Sequence, residues 1–428
     1  MDSQTGYNSD TGPLSETFTP IDYVKITIFG FGLSGLWASL HTVVLQVRLR
    51  DFVPEALKNS YLGYLTFTGT VLAMLVQPIV GAASDRSGFS WGRRRPYILV
   101  GTIAALVFLP GIGLWESYAA VFLFYCLLQV AANTAQGPYQ GLIPDLVPMG
   151  KRGRASGVKS LLEILGGVGL MRLAAFFMDR HSSEEGGYWL GLTLGALGLV
   201  LLATALVTLL TVRERPGTGG LSLPVLSDLY KSFQINIRQN RPFLWFLVSR
   251  GLLGIPGVIL QTFILYYLID VIDIANPAAV AANLVIVVGA GILVVVYFAG
   301  RLSDSIGRKP ILASSGLIGV VGIVLLFFSH SYPYIMLSGA IIGMANGAIL
   351  STGWALATDL APDGAEAKYL GLTSLAINAG SALARLIGPV IDYFNTLGTN
   401  LGYSVMLLAC LICFIFGSLL MLKVKQQR

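Results

Sequence analysis

Charge is scarce in this sequence. Asp, Glu, Lys and Arg together supply 12% of 428 residues, against roughly 25% in a soluble domain. That is too little to cover a water-facing surface, so an ordinary soluble globule is excluded. Cysteine and histidine are scarce too, with three of each. Cys126, Cys410 and Cys413 all fall inside apolar stretches, where the CxxC spacing of Cys410 and Cys413 reads as small packing residues rather than a redox or metal motif. The histidines show no ligand spacing, so no metal set is expected. Nucleotide-binding loops and nucleophile motifs are missing as well, so neither a cofactor nor enzymatic chemistry is expected. Residues 1–23 are polar and acidic and lack the basic start of a cleavable signal peptide. They read as a disordered cytoplasmic tail.

What is abundant is apolar. Hydrophobic residues make up 54% of the chain, and the mean hydropathy is +0.72. A bilayer core about 30 Å thick needs roughly 20 apolar residues per helix. Stretches of that kind lie near 24–47, 60–82, 97–114, 117–141, 156–178, 188–212, 242–269, 278–300, 310–329, 332–357, 369–391 and 401–422. Lipid offers the backbone no hydrogen-bond partner, so the spans are helical, and 50 glycines suit close helix packing. The net charge of +6 is a topology signal rather than a nucleic-acid footprint. Most Lys and Arg, including Arg93, Arg94, Arg95, Lys151, Arg152, Arg154, Arg308 and Lys309, fall in loops on one side. That asymmetry places those loops and both termini in the cytoplasm.

The chain repeats itself. Gly81–Gly88 (GAASDRSG) answers Gly300–Gly307 (GRLSDSIG) at an offset of 219, and Asp51 answers Asp270 at the same offset. Further on the offset is 214: Asp145-Leu146-Val147-Pro148 matches Asp359-Leu360-Ala361-Pro362, and Gly166 matches Gly380. Five extra residues in the loop between the second and third helices account for the change. The expected fold is an all-α integral membrane protein, twelve transmembrane helices in two pseudo-symmetric six-helix bundles. The bundles occupy 24–212 and 242–422, with a cytoplasmic linker at 213–241 and a tail at 423–428.

The segment from Gly81 to Pro96 (GAASDRSGFSWGRRRP) resembles the signature loop of the major facilitator superfamily, with Gly300–Pro310 as a second copy. Gly81 would let the second helix end close against a neighbour. Asp85 would complement the N-terminus of a facing helix. Arg86, Arg93 and Arg94, with Asp304 and Arg308 in the second copy, would latch the cytoplasmic gate. The run Ala73–Arg86 followed by Gly92–Thr102, with Asn133–Pro138 (NTAQGP), resembles sucrose transporters and the related glycoside–pentoside–hexuronide cation symporters. The resemblance implies transport of a sugar or glycoside driven by a proton or sodium gradient. Proton-coupled sucrose transporters carry an aspartate where this chain has Gln129. An amide cannot titrate, so a uniporter, a sodium-coupled carrier and a carrier using another carboxylate all stay open.

Polar residues inside spans are functional suspects because lipid makes them expensive. Gln129, Asn133, Gln136 and Gln140 recur at i, i+4, i+7 and i+11 on one face of the fourth helix. Amides offer the donors and acceptors that sugar hydroxyls need, although interhelical bonding is the competing use. The repeat puts Trp354 opposite Gln140, as a sugar-stacking or interfacial indole, and Asn346 on the same helix. Arg250 and Gln261 share a face of the seventh helix, and Trp37 adjoins His41 on the first. These ten are the expected substrate contacts. Glu163 is the expected coupling carboxylate. Arg172 and Asp179, like Arg385 and Asp392, lie seven apart and are expected to pair near the outer surface and help close it. The leading reading is a monomeric sugar carrier of a bacterial inner membrane, moving a disaccharide such as sucrose or maltose. An exporter of amphipathic drugs or lipids, and a non-transporting sensor or assembly factor, stay open.

Overall fold

The computed structural model describes residues 19–181, 186–214, 241–274, 276–328, 331–362 and 366–424. Most of the expected tails and linker lie outside these residues. Among the described residues eleven helices are each long and apolar enough to cross a membrane, and a twelfth crossing is a pair, Pro20–Thr27 and Phe29–Leu49, bent by 42°. Numbered by crossing, α1 is that pair, α2 is Lys58–Asp85, α3 Arg95–Phe108, α4 Tyr118–Gln140, α5 Arg152–Met178 and α6 Gly186–Thr211. In the second half α7 is Arg241–Asp270, α8 Pro277–Ile306, α9 Arg308–Phe328 and α10 Tyr332–Asp359. Crossing α11 is split into Glu366–Arg385 and Ile387–Leu397, and α12 is Leu401–Leu422. The all-α, multi-pass membrane architecture expected from hydropathy is the one adopted. The first helix starts earlier than expected. Thr19 and Asp22 form a capping box ahead of Pro20, so residues 20–23 belong to the helix and not to the tail.

The repeat in sequence is a repeat in packing. Helix α1 packs on α5 and α2 on α4 in the first half; α7 packs on α11 and α8 on α10 in the second. The matched glycines sit at equivalent crossings. A Cβ on Gly166 would stand 2.1 Å from the Phe31 carbonyl oxygen, and one on Gly380 would stand 2.9 Å from that of Gly251. The loop after α2 runs over residues 86–94, whereas Gly307 alone joins α8 to α9. The inserted residues therefore lie where the change of offset put them. Gly307 makes that one-residue connection at φ +103, a region that other residues enter at a steric cost.

The chain has two ends, called here the basic face, which carries the arginine-rich loops, and the far face. On the basic face every ion pair among the described residues stays within one half. Arg94 bridges Asp85 (2.7 Å) and Asp145, Arg93 joins Asp145 at 2.6 Å, and Arg308 pairs with Asp359. Two expectations are corrected. Asp85 meets an arginine of its own half rather than the end of a facing helix, and a Cβ on Gly81 would meet nothing within 4 Å. The physical reason is that, among the described residues, the halves do not meet at this end. Arg86 and Asp304 are exposed.

The halves meet at the far face, where α11 packs on α2 and α5 on α8. Here the expected pairs within one helix are absent among the described residues. Asp179 instead accepts the Ala278 and Ala279 backbone N–H groups at 3.1 Å each. Asp392 accepts the Ser60 N–H at 2.6 Å and the Asn59 amide at 2.8 Å. Residues 278 and 279 are 59 and 60 shifted by 219. Each half thus presents a carboxylate to the first turn of a helix in the other, where unsatisfied N–H groups and the helix dipole favour an anion. Arg172 donates to the Ala279 carbonyl at 3.4 Å and Arg385 to the Ser381 carbonyl at 2.6 Å.

A second far-face cluster lies within the first half. His181 Nε2 lies 2.8 Å from Asp51, which also pairs with Arg48 at 2.6 Å. The bond to Asp51 raises the His181 pKa. Burial pushes the Asp51 carboxyl up, but the hydrogen bonds from His181 and Arg48 outweigh it and hold it below its ordinary value. A raised histidine contributes stability that is complete below its unfolded pKa, near 6.5, and is lost as pH rises through the folded value. A lowered aspartate contributes above about 3.9 and loses it as pH falls through the folded value. The difference in Tm between wild type and His181→Ala is therefore expected to be largest between about pH 4 and 6.5. It should shrink on both sides in thermal melts.

Candidate functional site

Between the halves lies a cavity of about 380 Å³, within the roughly 300–1,000 Å³ of small-molecule sites. Its lining includes Gly30 near the start of α1, Gln140 at the end of α4 and Lys159 near the start of α5, all toward the basic face. Deeper in stand Trp37 and His41, with Gln261 from α7. The far face is sealed above it, so the cavity belongs to a conformation open toward the basic face.

The first helix is shaped to build this wall. Its bend falls at Ile28, and Leu40–Val44 form a π-helical turn, a local rewinding common at functional sites. That turn carries His41, whose ring stacks on Trp37 with centroids 5.3 Å apart and planes 23° apart. Their spacing of four residues had put them on one face, and both line the cavity.

The amide stripe of α4 divides. Gln136 and Gln140 line the cavity, whereas Gln129 and Asn133 are buried at 3% and 2% exposure. These two serve a hydrogen-bonded chain instead. Gln77 Nε2 donates to Asn133 Oδ1 at 2.6 Å, Asn133 Nδ2 to Gln129 Oε1 at 2.9 Å, and Gln129 Nε2 to Tyr125 Oη at 2.7 Å. Tyr125 Oη then lies 2.9 Å from His41 Nε2. Because that hydroxyl accepts from an amide, its own proton is free to donate to His41 Nε2. The imidazole proton is then left on Nδ1. Interhelical bonding, the competing use of the stripe, is what Asn133 does through Gln77 of α2, while Gln129 bonds within α4 and links that contact to Tyr125. Tyr125→Phe should strip a partner from both the Gln129 amide and His41, at a cost of about 1–3 kcal/mol. Thermal melts of the purified protein would read it as a lower Tm.

Among the described residues, one carboxylate lines the cavity. Glu163 lies 3.7 Å from Lys159, one helical turn earlier, and the Lys159 ammonium stands 5.4 Å from the centroid of the Tyr139 ring. Tyr139 donates to the Thr27 carbonyl at 2.8 Å and accepts from the Gly30 N–H at 3.1 Å, which holds the α1 bend against α4. From the second half only Gln261 of the expected contacts reaches this lining. A Cβ on Gly257 would stand 3.5 Å from the Asn346 amide, and Trp354 is 38% exposed. Arg250 is buried with its Nε against Gly353. Gln77, Tyr125, Tyr139 and Lys159 had not been expected at the site. A signal existed for two of them: Gln77 is polar inside an apolar span, and Lys159 precedes Glu163 by four residues.

The model of the family described as MFS/sugar transport protein matches residues 30–423. The sucrose transport protein SUT1 of Oryza sativa subsp. japonica is 26% identical over 250 residues, covering 50% of this chain and 45% of the rice protein. This chain thus spans less than half the length of that relative. An uncharacterized symporter of Bacillus subtilis (strain 168), YnaJ, is 24% identical over 407 residues, covering 91% of this chain and 83% of its own. Among solved structures, a bacterial homologue of the human lysosomal transporter Spinster, in an inward-facing and unoccupied conformation, superposes with a TM-score of 0.74 at 17% identity. That match covers 96% of this chain and 99% of the other.

Proposed function

The chain belongs to the MFS/sugar transport family, and from that membership we propose that it carries a sugar or glycoside, a disaccharide such as sucrose or maltose, by cation-coupled alternating access. The observation that carries this reading is the cavity between the halves. It presents amides at Gln136, Gln140 and Gln261, an imidazole N–H at His41 and the indole of Trp37. Amides and imidazole match hydroxyl groups, and an aromatic face matches the apolar face of a sugar ring. The remaining expected contacts, Arg250, Asn346 and Trp354, would join when the second half closes on substrate.

The cycle follows from the two faces. With the basic face cytoplasmic by its Lys and Arg excess, the conformation described accepts or releases substrate inside. Passage to the other conformation requires the far-face contacts of Asp179, Asp392 and their neighbours to break. The loops around Asp85 and Asp304 would then meet and close the cytoplasmic side. Glu163 is the coupling candidate, because among the described residues it is the one carboxylate in the cavity lining and has a cation beside it. Proton or sodium binding there would change the charge balance against Lys159 as substrate enters.

Uptake of labelled sucrose and maltose into proteoliposomes, with and without imposed proton and sodium gradients, tests the reading. Accumulation driven by either gradient is the expected result. Absence of saturable uptake for both sugars would favour the exporter alternative.

A further inference from the structure

Three amides and a phenol stand behind His41, and their partners settle which way each bond points. An amide's nitrogen and oxygen are told apart by what they touch. The Asn133 side-chain atom 2.7 Å from the Gln129 backbone carbonyl must be its nitrogen, because a carbonyl only accepts. That nitrogen also lies 2.9 Å from the Gln129 side chain, whose near atom is therefore Oε1. The other atom is then Nε2, which donates to Tyr125 Oη. Gln77 Nε2 completes the chain by donating to the Asn133 oxygen.

Tyr125 has one proton to give, and the chain leaves it one acceptor. The ring is fully buried, and a Cβ on Gly69 would stand 2.5 Å from it, so α2 holds it in place. Its hydroxyl donates to His41 Nε2 at 2.9 Å, and the His41 hydrogen therefore sits on Nδ1. Nδ1 has no hydrogen-bond partner among the described residues and is not enclosed. Trp37 covers one face of the imidazole, and both residues line the cavity.

We propose that Gln77, Asn133, Gln129 and Tyr125 lock His41 as a hydrogen-bond donor, so that it reads one sugar hydroxyl through the lone pair of its oxygen. None of the four is among the described residues that line the cavity. They are positioning residues, and His41 is the residue that sets specificity. An unlocked imidazole could present a donor or an acceptor and would take either kind of group. The locked ring rejects a ligand that can only donate at this point, such as one with an ammonium in place of that hydroxyl. The lock follows from bonds within the protein, whereas its use on a ligand rests on the sugar-carrier reading and deepens it.

Two measurements test this. Nitrogen-15 NMR of the purified full-length protein with ring-labelled histidine reads the tautomer, and the signal lost in His41→Gln assigns it. The hydrogen is expected on Nδ1. Gln129→Leu, at a residue that makes no hydrogen bond to His41, should release the lock and bring up an Nε2–H signal. Calorimetric titration with maltose and sucrose, and with their monodeoxy and monodeoxyfluoro analogues, reads the use. Fluorine can accept a hydrogen bond but cannot donate one. At one hydroxyl the deoxy analogue should bind about tenfold more weakly than its parent, while the deoxyfluoro analogue keeps most of the affinity. Gln129→Leu should narrow that difference at that position alone. Wild-type His41 with its hydrogen on Nε2, or Gln129→Leu with an unchanged Nδ1–H signal, would overturn the lock. Equal weakening by both analogues at every hydroxyl would overturn its use in recognition. Nδ1–H in the wild type and its loss in Gln129→Leu, with neither sugar bound, would support the lock and defeat the sugar reading.

Discussion

Replacing Asp270 with asparagine is expected to open the far face. The Lys58 side chain, 4% exposed, lies 2.5 Å from Glu55 and 2.7 Å from Asp270, and Tyr403 donates to the other Asp270 oxygen at 2.5 Å. Glu55 is 61% exposed, so water screens it and it can compensate little once Asp270 is neutral. Breaking a buried pair on one side costs about 3–5 kcal/mol, a shift of about two orders of magnitude or more between the two conformations. Only the far-closed conformation bears that cost, because Lys58 and Asp270 come from different halves. Nitroxides on the exposed Leu57 and Leu397, one in each half, would report the change as longer distances in pulsed electron resonance. The double replacement of Lys58 and Asp270 by methionine should restore the shorter distances, since an apolar pair of similar size costs neither partner a buried charge. An unaltered distribution in Asp270→Asn would remove this pair from the seal.

Glu163→Gln is expected to separate coupling from movement. The amide keeps the shape of the side chain but cannot bind and release a proton, and it holds a sodium ion less well than a carboxylate. Gradient-driven accumulation should therefore fall to the equilibrium level. Exchange of labelled for unlabelled sugar, which needs no gradient, should continue. Accumulation that survives the change would put the coupling site elsewhere, and loss of exchange as well would assign Glu163 to substrate binding or to packing. The contrast between the two assays carries the conclusion, because a damaged protein would lose both.

The architecture was legible in the sequence because the bilayer leaves few choices. Apolar length fixed the number of crossings, and the change of offset from 219 to 214 located the longer loop after α2. The same repeat held a further message in the matched Asp145 and Asp359. Each now meets an arginine, Arg94 and Arg308, that is itself related by 214. The site was less legible. Helical periodicity assigns a side chain to a face of α4 but does not say which helix lies against that face at each depth. Gln129 and Asn133 meet Gln77 and Tyr125, while Gln136 and Gln140, farther toward the basic face, meet open space. Arg172 and Asp179 failed as a pair for a related reason. A two-turn spacing brings side chains to one face, yet the first turn of α8 offers Asp179 two N–H groups from outside its own helix. Only the fold could reveal those partners.

In the proposed cycle a sugar occupies the cavity between the halves, and the cavity is reached from one face at a time. With Cys126, Cys410 and Cys413 replaced by serine, Gln140→Cys places a single thiol on the cavity wall near the basic face. Its alkylation by a membrane-impermeant maleimide, in vesicles of each orientation, measures access directly. Rapid labelling from the basic face, slow labelling from the far face, and protection by the transported sugar are expected. Labelling that the transported sugar leaves unchanged, or that is equally fast from both faces, would contradict that cycle.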